Sequence, residues 1–365
     1  MKFTVQRAKL LDALLQVQNI VPPRPSLQIL SNVKIVAEGG KITFTTTDVD
    51  MSISCTIEAN VAQDGATTLP MRRLASIVRE LAEGEIAVDV DDNDTASLSC
   101  GASSFFRIKG IAVSDFPKVQ QDGGDIGYTI DAETFAEMLH KTSYAASTDE
   151  SRRVLTGVLL SFKDAKLTVV ATDGRRLALV EHEVEFPPEA AKDLVLPSKT
   201  VSELGHLLKG EGPVHITSQG TMVVFTIGGT TLCSKLYDGS FPNYRLVIPQ
   251  SCDERIAIPR TDMLAALRRV AVVLNDKTNA AGLTFGDGRV VLETSDSDIG
   301  EAREEVAIKY SGEPLSYTFN STYIMDALRN LEDEEVYFEV SRGHGPTVIK
   351  CGIPFLYVLM PIRTN

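Results

Sequence analysis

One structural unit occurs three times in this chain, and no other feature limits its fold as strongly. Asn32–Asp48 (NVKIVAEGGKITFTTTD) aligns without a gap on Gly157–Asp173 (GVLLSFKDAKLTVVATD), and Gly282–Asp296 (GLTFGDGRVVLETSD) fits with a turn two residues shorter. In each copy an apolar run meets a polar turn (EGGK, KDAK, GDGR) and continues into a β-rich run ending near Thr-Asp or Ser-Asp. The alternation of Ile42, Phe44 and Thr46, and of Val290, Leu292 and Thr294, has the two-residue period of a half-buried strand. A repeat this long marks repeated domains, not the turns of a solenoid.

The unit extends beyond the hairpin. A short strand (Phe3-Thr-Val, Tyr128-Thr-Ile, Ile256-Ala-Ile) and an amphipathic helix precede each copy. The helix stripes are Leu10, Leu14, Val17 and Val21; Phe135, Met138, Leu139 and Thr142; and Met263, Leu267, Val270 and Leu274. Spacing at i, i+3/i+4 gives each helix one face to bury. Asp131 and Thr261 suit the N-cap of their helices. A second helix follows at Pro70–Leu81, Ser198–Lys209 and Asn320–Leu331, and further short strands close each unit. The expected architecture is α+β: three domains, 1–125, 126–252 and 253–365, each with two helices packed on antiparallel sheets.

Composition narrows the functional classes. No apolar run reaches the length of a membrane-spanning helix, and the MKFTVQRAKLL start lacks the apolar core of a signal peptide, so a cytoplasmic location is expected. Five separated cysteines without a CxxC argue for small buried residues, not for a disulfide framework or a zinc site. The five histidines lie apart, with no HExxH, nucleophile elbow or P-loop, so neither catalysis nor a cofactor is expected. Asp173 reads as a carboxylate capping a turn. Asp296 and Asp298 lack EF-hand spacing, and no metal is expected.

A net charge of −13 opposes nucleic-acid binding only if it is evenly spread. It is not. The six helix windows together carry +3, which leaves −16 on strands and loops. Arg24, Arg152 and Arg153 flank the helices, so a mildly basic layer inside an acidic shell is compatible with loose, sequence-blind phosphate contacts.

The MKFTVQRAKLL start, the three repeats, TDGRRLAL, FPNYRLVIP and the C-terminal YVLMPIR together resemble the bacterial β sliding clamp family, the processivity subunits of DNA polymerase III. The resemblance covers the whole chain. It implies a head-to-tail homodimer whose six clamp domains close a ring on double-stranded DNA, with helices lining the hole. By position, it puts DNA contacts on Arg24, Arg73, Arg152, Lys199 and Arg269, while Ser198 and His206 stand where some relatives have Arg. It also implies a pocket for short linear peptides ending in hydrophobic residues, from the DNA polymerase III α subunit, the clamp loader δ subunit, and other polymerases or repair proteins. The matching positions are Leu155, Thr172, Gly174, Arg175, Arg176, Leu177, Pro242, Leu246, Val247, Pro346, Val358, Leu359, Met360, Pro361, Ile362 and Arg363. Leu246 and Arg175 depart from the Arg and His of some relatives. In the C-terminal strand, Val358 and Met360 are expected in the core, with Leu359 and Ile362 facing the groove.

The implied dimer seam sets Phe106 and Ile108 of one protomer against Val272 and Val273 of the other, with Arg73 facing Asp298, Glu301, Glu304 and Glu305. The competing reading is a monomeric peptide-binding scaffold that does not encircle DNA.

Overall fold

The computed structural model describes residues 1–119, 124, 127–274, 279–296, 299–343, 345–352 and 354–363. Asp298 lies outside them. The first repeat runs β1 (Lys2–Gln6), α1 (Arg7–Val17), β2 (Asn32–Glu38), β3 (Lys41–Thr47), β4 (Met51–Glu58), β5 (Asn60–Gln63), β6 (Gly65–Pro70), α2 (Met71–Glu80), β7 (Glu85–Val90), β8 (Thr95–Cys100) and β9 (Ser104–Lys109). The second runs β10 (Gly127–Asp131), α3 (Ala132–Ser143), β11 (Val158–Lys163), β12 (Lys166–Thr172), β13 (Arg176–Glu183), β14 (Lys192–Leu196), α4 (Ser198–Leu207), β15 (Pro213–Gln219), β16 (Met222–Ile227) and β17 (Thr230–Lys235). The third runs β18 (Glu254–Pro259), α5 (Arg260–Val270), β19 (Ala280–Gly286), β20 (Arg289–Asp296), β21 (Gly300–Ala307), β22 (Leu315–Asn320), α6 (Ser321–Arg329), β23 (Glu335–Val340), β24 (Thr347–Lys350) and β25 (Phe355–Leu359). Apart from the extra β5, the three repeats have the same element order.

The stripes expected on the leading helices are buried throughout: Leu10, Leu14, Val17 and Val21, then Phe135, Met138, Leu139 and Thr142, then Met263, Leu267, Val270 and Leu274. Their N-termini are held by a repeated tertiary contact. Arg7 N donates to Gly84 O (2.8 Å), Ala132 N to Gly212 O (2.9 Å) and Arg260 N to Glu334 O (2.9 Å). Each acceptor lies in the loop after the second helix, so a backbone carbonyl satisfies a helix donor that would otherwise be orphaned. Asp131 directly precedes α3, but Thr261 is inside α5, whose N-cap is Pro259 with no side-chain cap.

The chain forms two compact units, residues 1–133 with 202–236 and residues 134–201 with 237–365. Their limits cut through the second repeat because its strands are shared. In the first unit β4 pairs with β17, giving the sheet β10-β15-β16-β17-β4-β3-β2-β6, beside a five-stranded sheet β5-β1-β7-β8-β9. In the second unit β13 pairs with β25, giving β14-β11-β12-β13-β25-β24-β23-β18, beside a four-stranded sheet β21-β20-β19-β22. Among the described residues β9 and β21 each end a sheet with one edge unpaired.

The turns after β3 and β12 match atom for atom. Thr47 Oγ1 accepts from Val49 N (3.0 Å) and donates to Met51 O (2.9 Å), while Asp48 Oδ1 accepts from Met51 N (2.7 Å). Thr172 Oγ1 accepts from Gly174 N (3.1 Å) and donates to Arg176 O (2.6 Å), while Asp173 Oδ1 accepts from Arg176 N (3.0 Å). The central residue has φ +87° at Val49 and +88° at Gly174. A β-branched side chain is strained there, and glycine is not. Val49 is 65% exposed, so its removal forfeits little burial. Val49→Gly is therefore expected to stabilise the first unit by about 0.5–1 kcal/mol, the strain relieved less the entropy glycine adds to the unfolded chain. A higher midpoint in thermal unfolding checks this; a lower one contradicts the equivalence of the two turns.

Candidate functional site

The second of these turns forms the rim of a small cleft lined by Thr172, Gly174, Arg175, Arg176, Leu177, Val247, Val358 and Met360. Its floor follows from sheet register. Leu177 pairs with Val358 and Leu179 with Leu356, so the alternate residues of β13 and β25 put four apolar side chains on one face. Met360 continues that face, anchored by its N–H to Arg175 O at 3.0 Å. The same positions of the β4–β17 ladder hold Ser52 opposite Cys233 and Ser54 opposite Thr231, with Ser54 hydrogen-bonded to Thr45 at 2.9 Å. One backbone lattice thus carries hydroxyls at the first junction and Leu, Val and Met at the second. At the second, those side chains line an apolar cleft.

Beneath the cleft lies Arg176, with only 10% of its side chain exposed. Its Nη1 donates to Asp326 Oδ2 on α6 (2.6 Å), Nη2 to Tyr144 O (2.8 Å) and Nε to Asp173 Oδ2 (3.1 Å). The guanidinium also stacks over the Tyr323 ring, 4.4 Å from its centroid. Burial by itself would lower the guanidinium pKa, but the Tyr357 hydroxyl and the Asp326 and Asp173 carboxylates outweigh it, so the group is held firmly protonated. Arg152 braces the rim from outside: its Nη1 donates to Asp173 O (3.0 Å) and its Nε to Asp149 Oδ2 (3.1 Å). A Cβ at Gly174 would lie 3.3 Å from Arg152 Nη1, and the φ of +88° already disfavours any other residue there.

The other residues expected in the pocket fall differently. Leu155 and Pro346 are half-buried, Pro242 is exposed and Leu246 is 82% exposed, none of them lining the cleft. Beyond Met360, Pro361 is half-buried, while Ile362 and Arg363 are exposed and Ile362 N donates to Thr318 O at 2.7 Å. The expected facing of β25 is reversed. Val358 lines the cleft with Met360, and Leu359, fully buried, points to the opposite side opposite Arg176 in the ladder. Both faces of this strand are apolar, so only the register with β13 tells them apart. Tyr144, Tyr323 and Asp326 were not anticipated; the i, i+3 spacing of Tyr323 and Asp326 on α6 was their only trace in the sequence.

Of the expected DNA contacts, Arg24, Arg73 and Lys199 are exposed. Arg152 is engaged in the cleft rim. Arg269 makes a two-pronged pair with Glu304 (2.8 and 2.7 Å), which holds the Glu304 carboxyl below its usual range. Of the expected seam residues, Phe106 is 38% and Val272 81% exposed, Val273 is half-buried, and Ile108 is buried within its own unit. Phe105, on the other face of β9, is 65% exposed and was not anticipated. The acidic run does not form one face. Glu304 sits on the helix side with Arg269, whereas Glu305 pairs with Arg289 (3.2 Å) and Arg303 (3.0 Å), and Glu301 with Ser295, on the opposite side of β21. Strand alternation divides the run, so Arg73 cannot meet all of it at once.

Repeats fused by shared sheets, with an apolar cleft at one junction, define a modular scaffold of the DNA-clamp type. The chain matches the DNA polymerase III beta subunit N-terminal domain over residues 1–120, the central domain over 129–243 and the C-terminal domain over 245–363. It is 32% identical to the Beta sliding clamp of Chlamydia muridarum, with both chains covered in full. Crystal structures of a Bartonella birtlesii DnaN sliding clamp bound to griselimycin (34% identity, TM-score 0.93) and of the Pseudomonas aeruginosa DNA polymerase III subunit beta (30%, 0.95) match it over the full length of both chains. The chain belongs to the DNA polymerase III beta subunit family, the β sliding clamps. Its function is that of a DNA sliding clamp that tethers a polymerase.

Proposed function

We propose that two copies of the chain close head to tail into a ring of six repeats around duplex DNA, with no catalytic role of their own. The repeats are assigned to residues 1–125, 126–252 and 253–365. The supporting observation is a leftover pair of strand edges. By element order β4, β13 and β21 are equivalent, and so are β17, β25 and β9. Within one chain the first set pairs with the second at β4–β17 and β13–β25, leaving only β21 and β9. Pairing β9 of one copy with β21 of another repeats the same junction and removes both open edges, which would otherwise template aggregation. The exposed Phe106 and Val272 supply apolar contact there. The mass in solution at micromolar concentration should be twice the 39.6 kDa of the chain. A strict monomer would favour the scaffold that does not encircle DNA.

Inside such a ring Arg24, Arg73 and Lys199 offer scattered phosphate contacts. With Arg269 neutralised by Glu304, the grip is weak and sequence-blind, as sliding requires. The cleft on the β13–β25 junction is the site for the hydrophobic ends of short peptides from the DNA polymerase III α subunit, the clamp loader δ subunit and repair proteins. Met360 adapts to different side chains, over a floor of Leu177 and Val358. Met360→Ala with Val247→Ala should weaken binding of such a peptide by at least roughly tenfold while leaving the dimer mass unchanged. Unchanged affinity, measured by fluorescence polarisation, would misplace the site.

A further inference from the structure

An Asp-Gly step is a chemical weak point in a chain, because the glycine amide nitrogen, unhindered by a Cβ, reaches the preceding carboxyl carbon. The sequence has such steps at Asp64, Asp122, Asp173, Asp238 and Asp287. Asp122 lies outside the described residues. Three of the others are held in place. Asp173 Oδ1 accepts from Arg175 N (2.8 Å) and Arg176 N (3.0 Å), while Gly174 N donates to Thr172 Oγ1 (3.1 Å). Gly288 N donates to Tyr310 O at 2.8 Å, and Gly65 is fixed in the β2–β6 ladder opposite Ala37. Asp238 and Gly239 differ. Both are exposed, and neither makes a hydrogen bond among the described residues. The step lies in a strap over the floor of the cleft. Tyr237 N is tied to Val195 O (3.0 Å), and Tyr237 and Phe241 pack on the apolar cluster that includes Leu177 and Val358. The strap runs on to Val247 in the cleft lining. It has little slack: a Cβ at Gly239 would lie 3.2 Å from Val154 Cγ2.

We propose that Asp238 is a site of spontaneous isoaspartate formation, and that the modified strap loosens the peptide cleft. Gly239 N gives up its proton and bonds to Asp238 Cγ, whose hydroxyl leaves with that proton as water. The product is a five-membered succinimide. Water then adds to the main-chain carbonyl carbon of Asp238 and breaks its bond to nitrogen. The chain now runs through Cγ, and the α-carboxyl is left free. One water is lost and one regained, with no change in oxidation state. The main chain gains one methylene between Tyr237 and Phe241, which a packed strap cannot absorb without shifting. The effect on the cleft rests on the reading of that cleft as the peptide site; the modification itself does not.

The test ages the full-length protein at physiological pH and temperature, then digests it with trypsin. The peptides LYDGSFPNYR and LTVVATDGR carry Asp238 and Asp173, and electron-transfer fragmentation tells aspartate from isoaspartate in each. Isoaspartate should accumulate at Asp238 at least roughly tenfold faster than at Asp173, whose hydrogen bonds must break first. An equal or lower rate at Asp238 overturns the site. Polarisation of a fluorescein-labelled peptide with a hydrophobic end is followed over the same period. Binding should fall in step with isoaspartate, the modified chain binding roughly tenfold more weakly. Asp238→Glu, whose longer side chain cannot close the five-membered ring, should stay unmodified and keep its affinity. Unchanged affinity in the modified parent, or an equal decline in Asp238→Glu, overturns the link to the cleft. Failure of fresh protein to bind the peptide overturns the cleft reading and that link with it, whereas the digest alone decides the modification site.

Discussion

Arg176→Ala is expected to destabilise the second compact unit by about 3–5 kcal/mol and to abolish peptide binding. The guanidinium satisfies Asp326, Asp173 and the Tyr144 carbonyl in a site that is 10% exposed, so truncation leaves a carboxylate and a carbonyl without their donor. The same side chain joins the turn that rims the cleft to α6, and its loss frees that turn. A paired replacement separates charge from packing. Arg176→Met with Asp326→Leu removes both members of the main pair and should recover much of the lost stability, but not the full rim geometry, because Asp173 Oδ2 still lacks its donor. Thermal and urea unfolding followed alongside peptide polarisation distinguish the outcomes. Full stability of Arg176→Ala would mean the network contributes nothing.

The second large effect is expected at the open strand edges. Val272→Glu places a carboxylate where the proposed seam needs an apolar contact with Phe106 of the other copy, and Phe106→Glu does the same from the opposite side. Both residues are exposed in the single chain, so neither change should disturb its fold. Each should weaken the dimer by about two to three orders of magnitude, the consequence of burying an unpaired charge. Combining them sets two carboxylates against each other and should yield monomer at micromolar concentration. Sedimentation of both variants, with circular dichroism as the folding control, reads the result. An unshifted dimer would place the interface elsewhere.

Much of this organisation was legible in the sequence. The ungapped repeat gave the order of elements, and the stripes on α1, α3 and α5 predicted which residues are buried. Failures occurred where the deciding contact is distant in sequence. Thr261 looked like a cap because a cap is usually sought among local side chains, whereas Arg260 N bonds a carbonyl at Glu334. The facing of Val358 and Leu359 was ambiguous because a strand buried on both sides loses its polar alternation. Arg152 and Arg269, expected as DNA contacts from the resemblance, also bond Asp173 O and Glu304 respectively, partners that no local pattern announces. The acidic run at Glu301–Glu305 seemed a single patch until the period of β21 put its members on opposite sides.

The claim that the two leftover edges, β9 and β21, close a ring is tested most directly by DNA topology. The dimer is loaded on a nicked circular plasmid by its clamp loader, then separated by gel filtration before and after the plasmid is cut once. A closed ring with loose inner contacts should travel with the circle at moderate salt and be released when the DNA is linearised. Retention on linear DNA equal to that on the circle would contradict it, as would a loaded, dimeric chain that never stays on the circle.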